Sequence, residues 1–300
     1  MTMTVVGGVV VVGGALVDVR ATTSARWMPA QSLPGRARLL AGGAARNVAV
    51  DLARFGHRVT LLTAVGDDAL GGWLLEATAA AGVDVSHTLR TADRTGFYVT
   101  VGPEEGEPWC IADAGPVEAL RPADLEAWHA VITAATIVVS DANLLEETHR
   151  ALAVIARGRP RVLLATSPDK AVRLRPVLDG ASLIVCNRAE ARSLTGLPPT
   201  LSWQALGTAL LTEGVERVVV TQGDGGVGIL GGEKVVSVRA VNVSDVDAAG
   251  AGDAVAAVAV HAYLVGMSTE RAAELAAAAA AVVVQSEENT PPELAAVLSR

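Results

Sequence analysis

Short apolar runs alternate with longer segments of helical periodicity along most of this chain. Ala44, Val48, Leu52 and Phe55 recur every three or four residues, which is typical of a helix with one buried face, and Gly56 predicts its end. Strands that alternate with helices are typical of βαβ units, so the pattern predicts an α/β fold: a mainly parallel sheet with helices on both faces. The predicted strands are 59–65, 137–139, 162–165, 183–185 and 217–221, and the predicted helices are 44–55, 67–81, 144–157, 251–265 and 269–284.

Two stretches, 17–40 and 95–113, interrupt this alternation with β-type segments and no long helix between them. Pro34-Gly35 and residues 103–106 have the composition of hairpin turns. We interpret the two stretches as a small β-layer that projects from the main sheet as a candidate lid; periodicity alone also allows ordinary edge strands of that sheet. No linker, repeat or low-complexity tract is present, which predicts one domain over residues 1–300 with this lid.

Composition narrows the class of protein. With 300 residues, 51% of them hydrophobic and 19% charged, the chain is too apolar to be disordered and long enough for one large α/β domain. A net charge of −8 argues against a nucleic-acid partner, because such a protein needs a basic face. A small anion is still allowed, since backbone amides bind phosphate without net positive charge.

The apolar run 1–17 has no basic n-region and contains paired glycines, so it predicts a buried parallel strand rather than a signal peptide. The other uncharged stretch, 254–269, is too short to predict a membrane span. We therefore expect a soluble cytoplasmic protein with no membrane partner. Cys110 and Cys186 both lie in apolar runs and are expected to be buried, inert thiols.

The strongest local motif is the segment 247–253, which precedes a long apolar helix. Gly250, Ala251 and Gly252 would aim free amides at one point, where the helix dipole favours an anion or a negatively charged transition state. Asp253 would repel a resting phosphate, but it suits a base that takes a proton from an attacking hydroxyl. The alternative is a glycine turn followed by an acid that merely favours the helix dipole.

Gly42 and Gly43 open another predicted helix, with Asn47 one turn further on. The glycines would let the backbone approach a polar ligand closely, and Asn47 offers both a donor and an acceptor. Asp18, which ends the first predicted strand, could hold sugar hydroxyls through its carboxylate. The alternatives are a tight turn with an exposed Asn and a solvated charge at a strand end.

Asn187 and Glu190 follow the predicted strand 183–185 and lie one helical turn apart. An amide and a carboxylate at the carboxyl end of a strand could hold Mg2+ through waters. The same spacing is a capping-box variant, and from the residues alone this structural role is the better interpretation.

Residues 223–228 match the glycine pattern G-x-G-x-x-G after a strand, but a dinucleotide site needs a helix next. The residues that follow predict a hairpin, so the dehydrogenase interpretation fails. A strand that ends at Thr221 and leads through Gly223 and Gly226 into a hairpin could instead border a nucleotide.

Taken in this order, the motifs resemble the ribokinase (PfkB-type) family of carbohydrate and nucleoside kinases, and they span nearly the whole chain. The resemblance implies a three-layer α/β sandwich with a β-lid over the sugar. It also implies transfer of the ATP γ-phosphate to a primary hydroxyl, with Mg2+ and often K+ as cofactors. The roles that it implies are a base at Asp253 with an anion hole at Gly250, Ala251 and Gly252, sugar contacts from Asp18, Gly42, Gly43 and Asn47, nucleotide contacts from Asn187, Thr221, Gly223 and Gly226, Mg2+ held through water by Glu190, and a monovalent cation at Asp247.

Several segments are most similar to the pseudouridine kinases of that family: 45–49, 140–144 with 147–148, 167–171 and, in the lid, 103–113. They imply a further substrate contact from Asn143. The predicted substrate is therefore pseudouridine. The alternatives are a free sugar or another nucleoside, and a non-catalytic nucleotide sensor on the same fold. A homodimer through the edge of the lid layer is also expected.

The chain departs from the family pattern at several positions. Ala248 and Ala249 stand where relatives usually carry hydroxyl side chains, and Ser286 stands near a position that is often Gly, which weakens the expectation of a K+ site. Leu16 stands where relatives often have Asn, which removes one possible substrate contact.

Overall fold

Strands and helices alternate along the chain in the computed structural model, which describes residues 8–26, 30–103, 108–243 and 249–299. The strands are β1 (Val9–Val12), β2 (Leu16–Thr23), β3 (Arg36–Gly42), β4 (Val59–Leu62), β5 (Ala64–Gly66), β6 (Leu89–Thr91), β7 (Phe97–Pro103), β8 (Trp109–Asp113), β9 (Ile137–Asp141), β10 (Arg161–Leu164), β11 (Leu183–Asn187), β12 (Arg217–Thr221), β13 (Val227–Gly231) and β14 (Lys234–Val238). The α-helices are α1 (Ala44–Arg54), α2 (Ala69–Ala80), α3 (Pro116–Ala119), α4 (Pro122–Ala127), α5 (His129–Ala134), α6 (Glu146–Ile155), α7 (Pro168–Ala171), α8 (Arg188–Thr195), α9 (Trp203–Thr212), α10 (Ala251–Val265) and α11 (Thr269–Val284).

The central sheet has eight strands in the order β14-β13-β12-β11-β10-β9-β1-β4. The six strands from β12 to β4 in this order pair in parallel, and β13 and β14 continue the sheet as an antiparallel hairpin. The hairpin occupies the place where the glycine pattern 223–228 would need a helix, so the structure confirms that this pattern is no dinucleotide fingerprint.

Alternate residues of each strand are buried on opposite faces of this sheet. Val9 and Val11 of β1 pack in one cluster with α1, α10 and α11, whereas Val10 and Val12 pack with α4, α5 and α6. The sheet therefore lies between two helical layers, which confirms the predicted three-layer α/β sandwich. In the described part of the chain, no helix has the length and apolar character needed to cross a bilayer.

A separate sheet of four strands, in the order β3-β2-β7-β8, is formed by the two stretches that interrupt the alternation. β2 pairs with β3 antiparallel and with β7 in parallel, so this sheet is distinct from the central one and is not a set of its edge strands. We refer to it as the lid sheet. The division of the chain into one domain with a lid stays a prediction.

Element boundaries differ from the sequence pattern where a polar side chain intervenes. The predicted strand 59–65 divides into β4 and β5 at Thr63, whose buried hydroxyl donates a hydrogen bond to the carbonyl oxygen of Gly13 at 2.7 Å. The helix predicted from residue 67 begins at Ala69, because the Asp68 carboxylate accepts a hydrogen bond from the Gly71 amide at 2.7 Å and caps the helix.

The expectation that both cysteines are buried is half wrong. Cys186 is buried in β11, but Cys110 is exposed. Cys110 lies on β8, an edge strand of the lid sheet whose five residues are all exposed, so its apolar neighbours reflect strand propensity rather than burial in a core.

Candidate active site

A cavity of about 720 Å3 opens where the parallel strands of the central sheet reach their carboxyl ends. This edge is where open α/β sheets bind ligands, because the loops after successive strands meet there. The lid sheet contributes Tyr98, Cys110 and Ala112 to the wall. Ten of the residues predicted to form a site line this cavity: Asp18, Gly43, Asn47, Asn143, Asn187, Glu190, Thr221, Gly250, Gly252 and Asp253.

Four other predicted residues, all within the described part of the chain, do not line the cavity. Gly42 ends β3 against the Asp18 carboxylate, which a side chain at this position would overlap. Ala251 is the first residue of α10, and Gly223 and Gly226 belong to the turn that joins β12 to β13, just beyond Thr221. Asp247, the predicted monovalent-cation position, lies outside the described residues, as does Ala248.

Asp253 lies in the first turn of α10, where the Asn47 side chain of α1 donates a hydrogen bond from Nδ2 to its Oδ2 at 2.9 Å. Burial is the main cause that raises the pKa of Asp253 to about 7; the hydrogen bond from Asn47 opposes it, and the charges of Asp141 and Asp18 add to it. A carboxyl group with a pKa near neutrality is suited to general-base chemistry. An acid that merely favoured the helix dipole would need neither the burial nor the partner.

The amino terminus of α10 faces the cavity beside Asp253. Gly250 precedes the helix in the left-handed conformation, with φ of 86°, which a residue with a side chain rarely adopts. The amides at the start of a helix have no acceptor within it, and the dipole makes this end positive. Gly250 and Gly252 therefore form a surface that can stabilise negative charge next to the half-buried Asp253.

Asp18 is buried rather than solvated, which excludes the alternative of a free charge at a strand end. Asn289, in the carboxyl-terminal segment, donates a hydrogen bond from Nδ2 to Asp18 Oδ2 at 2.7 Å and another to the Ala41 carbonyl oxygen at 3.1 Å. Arg20 donates to Asn289 Oδ1. The carboxylate therefore reaches the cavity in an orientation that the lid strand β2 and the end of the chain fix together.

Asn187 and Glu190 form the capping box that the spacing predicts. Asn187 Oδ1 accepts a hydrogen bond from the Glu190 amide at 2.9 Å, and Glu190 Oε2 accepts one from the Asn187 amide at 2.7 Å. Both side chains nevertheless line the cavity, and burial is the main cause that raises the pKa of Glu190 to about 7. The structural role and a ligand role are therefore compatible at these two positions.

Glu190 also has the character of a magnesium ligand. Its carboxylate is 7% exposed, and no Lys or Arg of the described residues forms an ion pair with it. Within the same residues, no three His, Cys, Asp or Glu side chains come together as a metal site. One carboxylate in the wall of an open cavity fits Mg2+, which retains waters and takes phosphate oxygens as ligands, better than a metal that needs a cage of side chains.

Three residues of the site are absent from the sequence prediction. Asp141, fully buried at the end of β9, accepts hydrogen bonds from the amides of Gly14 and Ala45 at 2.9 and 3.0 Å and so holds the loop after β1 and the start of α1 together. Lys170 lines the cavity, and Asn289 holds Asp18. Lys170 alone carried a usable signal, because it is one of only two lysines in the chain.

A family model described as pfkB family carbohydrate kinase matches residues 7–295 of this chain. The chain belongs to the PfkB family of carbohydrate kinases. Members of this family are phosphotransferases that act on hydroxyl groups of sugars and nucleosides, so this PfkB kinase is an enzyme of that class, as the motifs predict.

Individual relatives agree with the family. Over 269 residues the kinase is 29% identical to the pseudouridine kinase of Escherichia coli (strain K12), which covers 86% of this chain and 84% of that protein. A solved carbohydrate kinase from Agrobacterium tumefaciens is similar with a TM-score of 0.81 and 31% identity over 98% of this chain and 96% of that one. The ribokinase of Arabidopsis thaliana, solved with ribose and ATP, has a TM-score of 0.81 and 24% identity over 98% and 99% of the two chains. The fold is therefore ribokinase-like, which confirms the resemblance.

Proposed function

We propose that this PfkB kinase transfers the γ-phosphate of ATP to the primary hydroxyl of a ribose-type substrate, and that this substrate is pseudouridine. The observation that carries the proposal is the half-buried Asp253 carboxyl in the wall of the cavity, hydrogen-bonded to Asn47 at the amino terminus of α10. A proton acceptor and a helix terminus that stabilises negative charge are thereby adjacent. Transfer of a phosphoryl group to an alcohol requires both.

In this proposal Asp253 is the catalytic base. Its carboxylate accepts the proton of the substrate hydroxyl while the hydroxyl oxygen forms a bond to the γ-phosphorus and the bond from that phosphorus to the leaving ADP oxygen breaks. Asn47 holds the carboxylate in place by the 2.9 Å hydrogen bond to Oδ2. Because burial raises the pKa of Asp253 to about 7, the group is basic enough to take the proton and still ionised in a large part of the molecules at neutral pH.

Gly250, Ala251 and Gly252 provide the anion hole of the proposed mechanism. Their backbone amides, with the dipole of the 15-residue helix α10, stabilise the charge on the transferred phosphoryl group. This arrangement can hold an anion by backbone amides without a cationic side chain at the same place.

The nucleotide end of the cavity is assigned to the loops after β11 and β12. Asn187 and Thr221 line the cavity there, and the glycine turn with Gly223 and Gly226 borders it. Glu190 would hold Mg2+ through water, and the metal would supply charge neutralisation between the phosphates. The substrate end is assigned to Asp18, Gly42, Gly43, Asn47 and Asn143.

Pseudouridine is favoured over other acceptors by the likeness to the Escherichia coli pseudouridine kinase along 86% of this chain. Leu16, which lines the substrate end, favours the alternative of a free sugar or another nucleoside, because it offers no polar contact where relatives often have Asn. ADP release measured with pseudouridine, uridine, adenosine, ribose and fructose separates the two. The highest kcat/KM is expected for pseudouridine; a higher value for a free sugar or for adenosine would contradict this choice, and no transfer to any of the five would favour a nucleotide sensor.

A K+ requirement stays a prediction of the resemblance. Asp247 and Ala248 lie outside the described residues, so the support is the family pattern alone.

The cytoplasm, where ATP is the general phosphoryl donor, is the compartment that the proposed reaction favours.

We also propose a homodimer through the lid sheet. Cys110 and Ala112 of β8 line the cavity, whereas Trp109 and Ile111 point to the opposite face of the strand and are 60% and 69% exposed. Leu39 on β3 is 51% exposed, and large apolar side chains exposed together on a small sheet favour a protein partner. A second copy of the same sheet offers the matching apolar surface.

A further inference from the structure

Lys170 is the lysine that lines the cavity. It lies on the short helix α7, directly after β10, and the Ser167 hydroxyl oxygen accepts a hydrogen bond from its backbone amide at 3.3 Å. Its side chain is only 15% exposed and lines the cavity. The one other lysine, Lys234, is 57% exposed on β14 and is bound to Glu270. A lysine directed into a cavity is costly to keep unless it has a ligand or a partner.

The ammonium group of Lys170 is oriented by one strong contact. Nζ donates a hydrogen bond to Asn143 Oδ1 at 2.8 Å. Glu118 Oε1 lies 3.6 Å away, too far for a good hydrogen bond, and the same oxygen lies 2.8 Å from Arg173 Nη1. Glu118 is therefore engaged chiefly by Arg173. An ammonium has three N–H donors, so Lys170 retains donor capacity for a ligand in the cavity.

Asn143 in turn cannot rotate its amide. Its backbone amide donates to Asp141 Oδ1 at 2.9 Å, and its side-chain Nδ2 donates to Asp141 Oδ2 at 3.1 Å. The amide nitrogen is thus turned to a carboxylate and the amide oxygen to an ammonium. Asp141 is itself fixed by the amides of Gly14 and Ala45. A continuous chain of hydrogen bonds therefore runs from Gly14 and Ala45 through Asp141 and Asn143 to the Lys170 ammonium.

Lys170 follows β10, and its helix α7 packs against α8, but its ammonium is directed to the side of β10 opposite to β11. Gly250 and Gly252 at the start of α10 and Glu190 on α8 form the end that suits phosphate. The partners of Lys170 are Asn143, after β9, and Glu118, on α3, which directly follows the lid strand β8 in the chain. The Lys170 ammonium is a hydrogen-bond donor beside the contacts assigned to the sugar. It would therefore face the substituent that a ribose carries at the end opposite to its reacting hydroxyl.

We infer that Lys170, held by Asn143, recognises the nucleobase of the substrate: its ammonium donates a hydrogen bond to a carbonyl oxygen of a pyrimidine-type base. This inference rests on the proposed kinase function and names the part of the substrate that the site selects. A pyrimidine such as uracil offers carbonyl acceptors, adenine offers none, and ribose lacks the base. Among the described residues that line the cavity, Tyr98 is the single aromatic, which supports recognition of the base mainly by polar groups.

The test compares Lys170→Met with Lys234→Met, which removes the other lysine from an exposed surface pair. For Lys170→Met, kcat/KM should fall by on the order of 10- to 100-fold with pseudouridine and uridine, the range expected for a hydrogen bond from a charged donor. The values for adenosine and ribose and the KM for ATP should change by no more than about twofold, and Lys234→Met should leave all of them unchanged. Lys170→Gln, which keeps a neutral donor, should lie between wild type and Lys170→Met.

Two results would overturn the inference. An equal fall for pyrimidine nucleosides and ribose, with a raised KM for ATP, would assign Lys170 to phosphate; no fall with any nucleoside would remove it from recognition. Calorimetric binding of pseudouridine, in the presence of a non-hydrolysable ATP analogue, tests the same point without turnover. If wild type binds pseudouridine and Lys170→Met binds it at least tenfold more weakly, recognition of the base by Lys170 is supported, even if no acceptor is phosphorylated and the proposed function fails. If wild type binds no pyrimidine nucleoside, this recognition is contradicted. Matching unfolding temperatures of the variants show that each is folded.

Discussion

At the scale of single residues, Asp253 joins the chemistry of the site to its pH dependence. Asp253→Asn removes the proton acceptor while keeping the shape of the side chain, so kcat should fall by about 10²- to 10⁴-fold while ATP still binds. In wild type, kcat/KM should decline as the pH falls below about 7, because burial raises the pKa of Asp253 to about 7 and protonation removes the base. Turnover by Asp253→Asn within a factor of a few of wild type would contradict the assignment.

The same substitution has an opposite effect on stability. The folded-state pKa of Asp253 is raised above the ordinary value, so the folded protein loses stability as the pH rises from about 4 to about 7 and the buried group ionises. Asp253→Asn should therefore unfold at a higher temperature than wild type at pH 8, and the difference should shrink towards pH 4. Thermal unfolding at the two pH values measures this.

How much of the site can be predicted from the sequence also depends on single residues. Asp253, Asn47 and Asn187 belong to local motifs of glycines and helix starts, so spacing along the chain identified them. Asp141 gave no such signal, because its partners are the amides of Gly14 and Ala45, which lie 127 and 96 residues away in the sequence. Residues whose role is to hold other residues are found only once the fold has brought their partners together.

At the scale of elements, the apolar pattern predicts the boundaries of the buried helices α10 and α11, but it does not predict the boundaries of some other elements. The helices α10 and α11 begin and end where the pattern predicts, because glycine or a serine cap borders a long apolar run. The strand 59–65 divides at Thr63, which is as buried as its apolar neighbours, so only its hydrogen bond to the Gly13 carbonyl reveals the break. Periodicity in the sequence indicates which residues are buried, but it does not show which acceptor a buried hydroxyl will bond to.

The contact between α10 and the end of α1 makes a prediction about acid stability. His261 of α10 and His57, just after α1, lie with Nδ1 and Nε2 2.8 Å apart. Burial lowers the pKa of both, that of His261 to about 4 with a further contribution from the His57 charge. Since the folded state binds fewer protons than the unfolded chain between pH 6.5 and about 4, this pair makes the protein less stable as the pH falls through that interval.

His261→Gln should therefore weaken the loss of stability between pH 7 and 5, as followed by chemical unfolding. The matched control is His129→Gln, which removes an exposed histidine of α5. Parallel pH profiles for His261→Gln and wild type would show that the pair does not resist protonation in the folded state.

At the scale of the whole molecule, the proposed dimer follows from the two faces of the lid sheet. One face closes the cavity and the other exposes Trp109, Ile111 and Leu39. Light scattering should give the mass of two chains for wild type and of one chain for Ile111→Asp, because a carboxylate buried without a partner opposes association. Val154→Asp, at a 63% exposed position on α6, should remain dimeric. A wild-type mass of one chain would contradict the proposal.

The hydrogen bond between Asn289 and Asp18 joins residues 271 positions apart. The carboxylate that is assigned to the substrate emerges from the ribosome long before the side chain that orients it. Contacts of such separation form late, because the intervening chain must first be ordered. A nascent chain that has not yet reached Asn289 lacks this contact, so its strands can pair before the Asp18 carboxylate is oriented.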